Sequence, residues 1–346
     1  MAQPVLKLPS LAPSPAQATP PSRFRRLVEL AGPDFTIFFF FLAILLVVGR
    51  IFGAHYVVRL STMLLPGLAA PGIILVKMFS RWKRVFRDEP GARAEAKKMA
   101  LGTVRDWLPL VLVATVFDNL EDYTGIIRKV PIDDWLYKID MAVFGIEPTV
   151  WIKRLYHPLL TDWMAFCYGV FFIVPMILGI TLCMRGRGAD FREMATSVML
   201  QMWIGFFLFI CFPAGPPRYY ELLRHGEFAT HIPSLIGIND YLQGTWDTYD
   251  PLLVRSAFPS LHCSYGLMTI IYAWRFGDGV FPSSKRLFFW LVLPIQLSLF
   301  CATVYLRHHW IPDCMMGWTV ALTACTLAPL LRRKWPTAAP AAITTT

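Results

Sequence analysis

The stretch "LFFWLVLPIQLSLFCATVYLRHHWIPD" (residues 287–313) joins a long apolar run to a short polar cluster. Residues 287–305 carry no charge, and about 20 apolar residues in a helix cross the hydrocarbon core of a membrane. A second apolar run, 312–331, follows directly. The polar cluster of Arg307, His308, His309 and Asp313 therefore lies between two predicted membrane spans. Titratable groups are costly so close to hydrocarbon, which favours a functional role for them.

The whole chain has the composition of a membrane protein. It has 346 residues, of which 55% are hydrophobic and 16% charged, with a mean hydropathy of +0.49. Soluble domains carry about 25% charged residues. The net charge of +10 is concentrated in the loops between apolar runs, where orientation in the bilayer explains it. We therefore predict a multi-pass membrane protein and expect no nucleic acid partner.

The apolar runs predict an all-α fold, a polytopic membrane helix bundle with about eight transmembrane helices. The segment 120–160 contains "DDWLYKIDMAVFG" and is typical of an amphipathic helix lying at the membrane interface. Residues 1–30 are predicted to form a disordered Pro/Ala-rich cytoplasmic tail, 31–331 the membrane domain with its catalytic part at about 105–331, and 332–346 a second disordered cytoplasmic tail. The eight predicted spans are 35–53, 58–79, 104–119, 163–183, 194–212, 258–275, 287–305 and 312–331.

Basic residues indicate how the predicted spans are oriented. Five basic groups all fall on one side of an eight-span protein, and the positive-inside rule makes that side cytoplasmic. Three polar stretches then share the opposite, non-cytoplasmic face. They are "CFPAGPPRYY" (211–220), "RSAFPSLHCSYG" (255–266) and "YLRHHWIPD" (305–313). We therefore expect a site on this face, with both termini cytoplasmic.

The third stretch places a histidine and a carboxylate at a helix start. Pro312 suits the first turn of the last span. His309 is therefore predicted to lie just before the N-terminus of this helix, and Asp313 within its first turn. A carboxylate beside one imidazole nitrogen fixes the tautomer and leaves the other nitrogen free to attack or to accept a proton. The alternative is that the pair only anchors the end of a helix.

The other two stretches add a histidine and anion-binding groups. Ser260 is a plausible N-cap, His262 lies in the first turn that follows, and a helix N-terminus attracts anions. Arg218, Arg255 and Arg307 are candidates to bind phosphate. The alternatives are a structural interfacial histidine and arginines that only reach toward lipid headgroups. His308 is predicted to be the non-catalytic member of the adjacent pair.

Two histidines, one aspartate and several arginines suit phosphoryl transfer. Arginines would neutralise the phosphate oxygens while one imidazole attacks phosphorus and the other protonates the leaving oxygen. No carboxylate cluster with a metal-ligand pattern accompanies them, so neither a metal nor another cofactor is predicted. The seven cysteines lie in or beside apolar runs without CxxC spacing and are interpreted as small buried apolar residues.

The sequences "FPSLH" and "HHWIPD" together resemble the type 2 phosphatidic-acid phosphatase superfamily. The closer likeness is to its inositol phosphorylceramide synthase branch. The stretch "FPAGPPRYY" of this chain resembles the proline-rich first motif of that branch. The likeness covers about residues 105–331. It implies that His309 is the nucleophile that forms a phosphohistidine, that Asp313 orients it, that His262 is the general acid and that Ser260 contacts phosphate.

The sequence also departs from the phosphatase pattern at several positions. Leu261 replaces the glycine of Pro-Ser-Gly-His, the Ser-Arg pair before the nucleophile would fall at Ala302 and Thr303, and the first-motif lysine would fall at Cys211. These differences favour the transferase branch over a broad lipid phosphatase. Arg218 and Arg307 are predicted to replace the missing cations by position.

Three functions remain open from the sequence. The leading hypothesis is a phosphotransferase that moves an inositol phosphate-like headgroup from one membrane lipid to the hydroxyl of another. The second is a lipid phosphatase that uses the same residues with water as acceptor. The third is a membrane transporter, although its polar residues would have to continue through the membrane. Membrane lipids are the expected partners in the first two.

Overall fold

The computed structural model describes residues 22–57, 68, 70–79, 87, 89–117, 119–225, 232–246, 255–284 and 286–335. Within these ranges the chain is helical and no strand is formed; one isolated bridge joins Ala214 to Ser256. The helices are α1 Arg23–Phe52, α2 Ala70–Phe79, α3 Ala92–Phe117, α4 Leu120–Tyr123, α5 Asp133–Phe144, α6 Pro148–Trp151, α7 Pro158–Gly169, α8 Ile173–Met184, α9 Gly188–Cys211, α10 Pro217–His225, α11 Ile238–Trp246, α12 Leu261–Phe276, α13 Leu287–Tyr305 and α14 Ile311–Lys334.

Five of these helices are long and apolar enough to cross a membrane. They are the α1 segment Ala31–Phe52 together with α3, α9, α13 and α14. Helices α7 and α8 make a sixth candidate if they count as one span, since they are bent by 42° at a short break. The chain is therefore a multi-pass membrane protein with five to six candidate spans among its described residues.

The predicted number of about eight spans is not confirmed. The predicted span 258–275 forms α12, whose 16 residues would extend about 24 Å at 1.5 Å per residue, less than a hydrocarbon core of about 30 Å. The predicted span 58–79 lies largely outside the described residues, and only its last part forms the short helix α2.

The predicted tails are shorter than expected where the structure describes them. Helix α1 begins at Arg23, within the predicted tail 1–30, because the Ser22 side chain accepts a hydrogen bond from the Arg25 backbone N–H and caps the helix. Helix α14 likewise continues past residue 331 to Lys334. Residues 1–21 and 336–346 of the two predicted tails lie outside the described residues.

Helix α12 lies at the centre of the bundle, packed against α9, α13 and α14. Glycines permit these close approaches, because a Cβ on Gly205 would lie 2.6 Å from the Leu261 side chain and one on Gly266 would lie 2.6 Å from Phe300. A Cβ on Gly317 of α14 would lie only 2.2 Å from the carbonyl oxygen of Ser260. The start of α12 is therefore held directly against α14.

The helix ends form two distinct groups. The C-terminal ends of α9 and α13 meet the N-terminal ends of α12 and α14, as the hydrogen bond from the Ser260 N–H to the Asp313 carbonyl (2.9 Å) shows. At the other end of the bundle, Arg275 contacts Glu193 at 2.6 Å and Arg187 contacts Asp278 at 2.7 Å. The three polar stretches of the sequence thus meet at one end, and basic residues gather at the other.

Candidate active site

The segment after α13 turns sharply to bring two histidines into the protein. Arg307 has a φ of +59°, in the left-handed region that reverses the chain direction. The backbone N–H groups of His308 and His309 both donate to the Thr303 carbonyl, at 2.9 and 3.0 Å. Trp310 is fully buried and donates its indole N–H to the Gly215 carbonyl at 3.1 Å. The turn is therefore held firmly against the neighbouring polar stretch.

Asp313 links this turn to the first turn of α14. One of its carboxylate oxygens accepts a hydrogen bond from the Trp310 backbone N–H at 3.0 Å and also lies 3.4 Å from His309 Nδ1. The second distance is longer than an ordinary hydrogen bond but within ion-pair reach. Asp313 thus caps its helix and faces the His309 ring at the same time, as the sequence predicted.

The His309 ring presents its other nitrogen to His262. Nε2 of His309 lies 3.4 Å from Nδ1 of His262. His309 is only 5% exposed, and burial lowers its pKa from 6.5 to about 4, because a charged imidazolium loses its hydration there. At neutral pH the ring is therefore uncharged, which is the form that can act as a nucleophile.

The two imidazoles stand too close together for a phosphorus atom to lie between them. Phosphoryl transfer requires the attacking atom, phosphorus and the leaving oxygen to be roughly in line. With 3.4 Å between the two nitrogens, a substrate must move one of the rings. The His309 backbone is held by the Thr303 carbonyl, and its ring faces Asp313 at 3.4 Å.

Ser260 has a structural role at the start of α12. Its hydroxyl accepts a hydrogen bond from the Cys263 backbone N–H at 3.3 Å, which makes it the N-cap expected from the sequence. The residue is fully buried. Its position still places the free N–H groups of the first turn of α12 close to both histidines, where a helix terminus favours an anion.

Arg218 and Arg307 lie next to each other, close to His308. Their backbones are joined by a hydrogen bond from the Arg218 N–H to the Arg307 carbonyl at 3.3 Å. Both side chains are buried, at 8% and 5% exposure. The positive charges of both arginines contribute to lowering the pKa of His308, which burial lowers first. The two guanidinium groups are therefore near enough to the His308 imidazole to affect its charge, and His308 is the chain neighbour of His309.

Arg255 points elsewhere. Its guanidinium donates a hydrogen bond to the Lys129 carbonyl at 3.0 Å, and it lies beside Gly125, where a Cβ would come within 2.7 Å of it. These contacts tie the polar stretch 255–266 to the segment before α5. The described contacts of Arg255 therefore lie with the segment before α5, whereas Arg218 and Arg307 lie near His308.

Tyr168 is part of the site but was not anticipated from the sequence. It stacks on His262 at 4.1 Å and on His308 at 4.7 Å between ring centroids, and its hydroxyl lies 3.3 Å from His262 Nδ1. Phe171 packs on His262 as well, at 4.2 Å. Both aromatics are placed by the break between α7 and α8. The only sequence feature that could have indicated Tyr168 as a site residue is its position as a polar aromatic within an apolar run, which is a weak indication.

Helix α5 supports the site with two carboxylates that sequence reasoning also missed. Asp133 accepts a hydrogen bond from the Gly215 N–H at 2.8 Å, and Asp140 faces the Ile311 N–H at 3.5 Å. Burial raises the pKa of each carboxyl from 3.8 to about 6. Helix α5 therefore holds the polar stretches 211–220 and 305–313 from outside the bundle.

A family model described as the PAP2 superfamily matches residues 134–327. This range contains both histidines, the aspartate and every candidate arginine, and it covers more than half of the chain. The chain belongs to the PAP2 superfamily. The resemblance seen in "FPSLH" and "HHWIPD" is thereby confirmed at the level of the family.

Three curated relatives of this PAP2 protein are synthases with related names. The chain is 27% identical over 168 residues to the inositol phosphorylceramide synthase of Candida albicans, covering 45% of this chain and 33% of that protein. It is 24% identical to the catalytic subunit of inositol phosphorylceramide synthase from Schizosaccharomyces pombe, covering 56% of this chain and 46% of the other. It is also 24% identical to the phosphoinositol dihydroceramide synthase of Bacteroides thetaiotaomicron, covering 54% of this chain and 64% of that protein.

These similarities are partial in length. The chain spans a third to under two thirds of the curated relatives that it matches. No solved structure matches the chain at a comparable level of significance. The matches therefore establish the family of this chain.

Proposed function

We propose that this PAP2 protein is an integral-membrane phosphotransferase that moves an inositol phosphate-like headgroup from one lipid to the hydroxyl of another. The observation that carries the proposal is the line of Asp313, His309 and His262, in which Nε2 of His309 faces a second buried imidazole. The similarity to three ceramide or dihydroceramide synthases supports a lipid hydroxyl as acceptor.

The reaction would proceed in two displacements at the same phosphorus. Nε2 of His309 attacks phosphorus, the bond from phosphorus to the oxygen of the donor lipid breaks, and a proton from His262 passes to that oxygen. In the second step the acceptor hydroxyl gives its proton to His262 and attacks phosphorus, and the bond from phosphorus to His309 breaks. His262 thus returns to its first protonation state, and no proton is gained or lost overall.

The charge on the phosphoryl oxygens would be stabilised by Arg218, Arg307 and the N–H groups at the start of α12. Such fixed donors stabilise developing charge best where water is excluded. Both arginines are buried, so their orientation is set before the substrate arrives. Ser260 would act mainly by holding this helix start in place. No metal ion is needed for these steps, since the side chains supply both the nucleophile and the positive charge.

The candidate site would open on the non-cytoplasmic face, with both termini in the cytoplasm. The basic residues at the opposite end of the bundle support this orientation through the positive-inside rule. The membrane domain 31–331 remains part of the proposal. Helix α5 would lie at the membrane interface beside the site.

A lipid phosphatase would use the same first step but would transfer the phosphoryl group to water. The products separate the two activities. Purified protein in mixed micelles is given a headgroup-labelled phosphoinositide with and without a ceramide-type acceptor. We expect a new labelled lipid that depends on the acceptor and on His309. Release of a free labelled headgroup phosphate at the same rate with and without acceptor would identify a phosphatase instead.

A matched histidine control belongs to this experiment. His309→Ala should form neither product, whereas replacement of the exposed His55 by alanine should leave transfer unchanged. His55 has no described side-chain contact with the site, so it tests for a general effect of losing a histidine.

A further inference from the structure

An apolar cavity has His262 in its wall, and His309 is not among the residues that line it. Its volume is about 350 Å³, within the range of about 300–1,000 Å³ that is usual for small-molecule sites. It is enclosed by α3, α8, α9, α12 and the break between α7 and α8. Its walls are apolar apart from His262, the Tyr265 hydroxyl and the Trp107 indole N–H. The cavity therefore has the chemistry of a hydrocarbon site with an imidazole in its wall.

One wall of the cavity belongs to the outer surface of the bundle. Phe117 of α3 lines the cavity and is 51% exposed, and its neighbours Leu110 and Met176 are only half buried. This surface is part of a span-length apolar helix, so in a membrane it would face lipid. A chain could thus enter from the bilayer without crossing a polar region.

We propose that this cavity holds a hydrocarbon chain of the lipid whose reacting oxygen meets His262. The inference rests on the proposed function, because the double displacement assigns His262 both to the oxygen that leaves and to the oxygen that attacks. The chain of the donor lipid and that of the acceptor lipid therefore occupy the cavity in turn.

The cavity would act by positioning rather than by strong attraction. A chain that moves from the bilayer into the cavity leaves one apolar environment for another, so it gains little hydrophobic free energy. The walls of the cavity would instead guide the chain so that the reacting oxygen lies at His262. Correct placement of reactants is a large part of catalysis. The cavity should therefore affect the choice of chain length more than general binding to membranes.

Filling the cavity tests this inference. Ala114 of α3 lines it, and Ala114→Phe would place a large ring inside. Ala94 lies on the same helix but is exposed and does not line the cavity, so Ala94→Phe is the matched control. Each half-reaction is measured with long-chain and short-chain lipids, as phosphoenzyme formed from donor and as phosphoenzyme lost to acceptor.

Ala114→Phe should lower kcat/KM for long-chain relative to short-chain lipids by about tenfold in both half-reactions, a size typical of crowding in an apolar pocket. Ala94→Phe should leave the ratio at the wild-type value. An unchanged ratio for Ala114→Phe in either half-reaction would overturn the proposal that both chains use the cavity.

Photolabelling of the wild-type protein provides a test that does not need turnover. A ceramide-type lipid with a diazirine in its alkyl chain should label peptides containing the cavity residues Phe172 and Val198. Labelling only outside the cavity would overturn the inference even if Ala114→Phe failed to fold. Cavity labelling without any phosphoenzyme in the wild-type protein would instead refute the proposed function and leave the chain site standing.

Discussion

At the scale of single residues, the burial of His309 makes the folding stability of the protein depend on pH. A folded-state pKa of about 4, against 6.5 for an ordinary histidine, means that the unfolded chain binds more protons than the folded one between these values. The contribution of the buried, neutral His309 to the free energy of unfolding is therefore present in full above about pH 6.5. It is lost as the pH falls toward 4. Between pH 6.5 and 4 the ring stays uncharged in the folded protein and can still act as a nucleophile.

We therefore expect phosphoenzyme formation at low donor concentration to persist as the pH falls through 6.5 and to decline only near pH 4. The measurement is the initial rate of labelling across this range. Asp133 and Asp140, with pKa values of about 6, titrate in the same range, so the profile is also recorded for Asp133→Asn and for Asp140→Asn. A decline centred near pH 6.5 in all three proteins would contradict the assignment of His309.

The sequence predicted the residues that have a strong local pattern. The spacing from His309 to Asp313 across Pro312 corresponds to a helix start, and the structure places these two groups face to face. Tyr168, Phe171 and Asp140 were not found, because their roles depend on how distant segments meet. Arg255 was a reasonable candidate by proximity in sequence, but its side chain contacts the Lys129 carbonyl instead.

At the scale of elements, the contact between α12 and α14 should be sensitive to a single methyl group. Gly317→Ala would place a Cβ 2.2 Å from the Ser260 carbonyl, so the backbones must separate. Overpacking of this kind typically costs about 1–3 kcal/mol of stability. Because Ser260 and Asp313 are hydrogen-bonded across the same contact, transfer activity should fall as well.

The control is Gly102→Ala in α3, where a Cβ would meet nothing within 4 Å. This change should leave stability unchanged or raise it, since alanine favours a helix by up to about 1 kcal/mol over glycine. Thermal unfolding midpoints in detergent compare the two variants. Equal midpoints for Gly317→Ala and the wild-type protein would contradict the tight contact.

Helix α5 should lie along the membrane interface. Its exposed side chains include Trp135, Ile139 and Val143, which recur every four residues and so share one face of the helix. A spin label at Val143→Cys should collide readily with oxygen, which concentrates in lipid, whereas one at Lys138→Cys should favour a water-soluble relaxing agent. Equal exposure of both labels to the water-soluble agent would contradict an interfacial position.

Helix lengths were harder to predict than helix positions. Most predicted spans coincide with helices, but α12 is shorter than expected because its N-cap, Ser260, falls inside the predicted span 258–275. The span at 163–183 is divided into α7 and α8. Hydropathy reports how apolar a segment is, and it does not report where a buried helix bends or ends inside a bundle.

At the scale of the whole molecule, the orientation in the membrane follows from the two groups of helix ends. Ser283 lies in the loop after α12 at the basic end, and Gly244 lies in α11 on the side of the site; both are exposed. Cysteines placed singly at these positions in a background without other accessible cysteines should react with a membrane-impermeant reagent from opposite sides. Reaction of both from the same side would contradict the proposed topology.

The meeting of the three polar stretches was predictable because it depended only on which ends of the spans they occupy. The hydrogen bonds from Ala257 N to Ala214 O, from Ser260 N to Asp313 O and from Arg218 N to Arg307 O now join all three. The cavity beside His262 was not predictable, because it is the space left by helices whose relative positions no local pattern encodes.

The proposed mechanism requires His309 to carry the transferred group. The most direct measurement is acid-free denaturing quench of the protein after brief reaction with a headgroup-phosphate-labelled donor, followed by mapping of the labelled peptide. We expect acid-labile label on the peptide containing His309, none in His309→Ala, and labelling slowed by about 10²–10⁴-fold in His262→Ala. Label on the peptide containing His262, or full activity in His309→Ala, would contradict it.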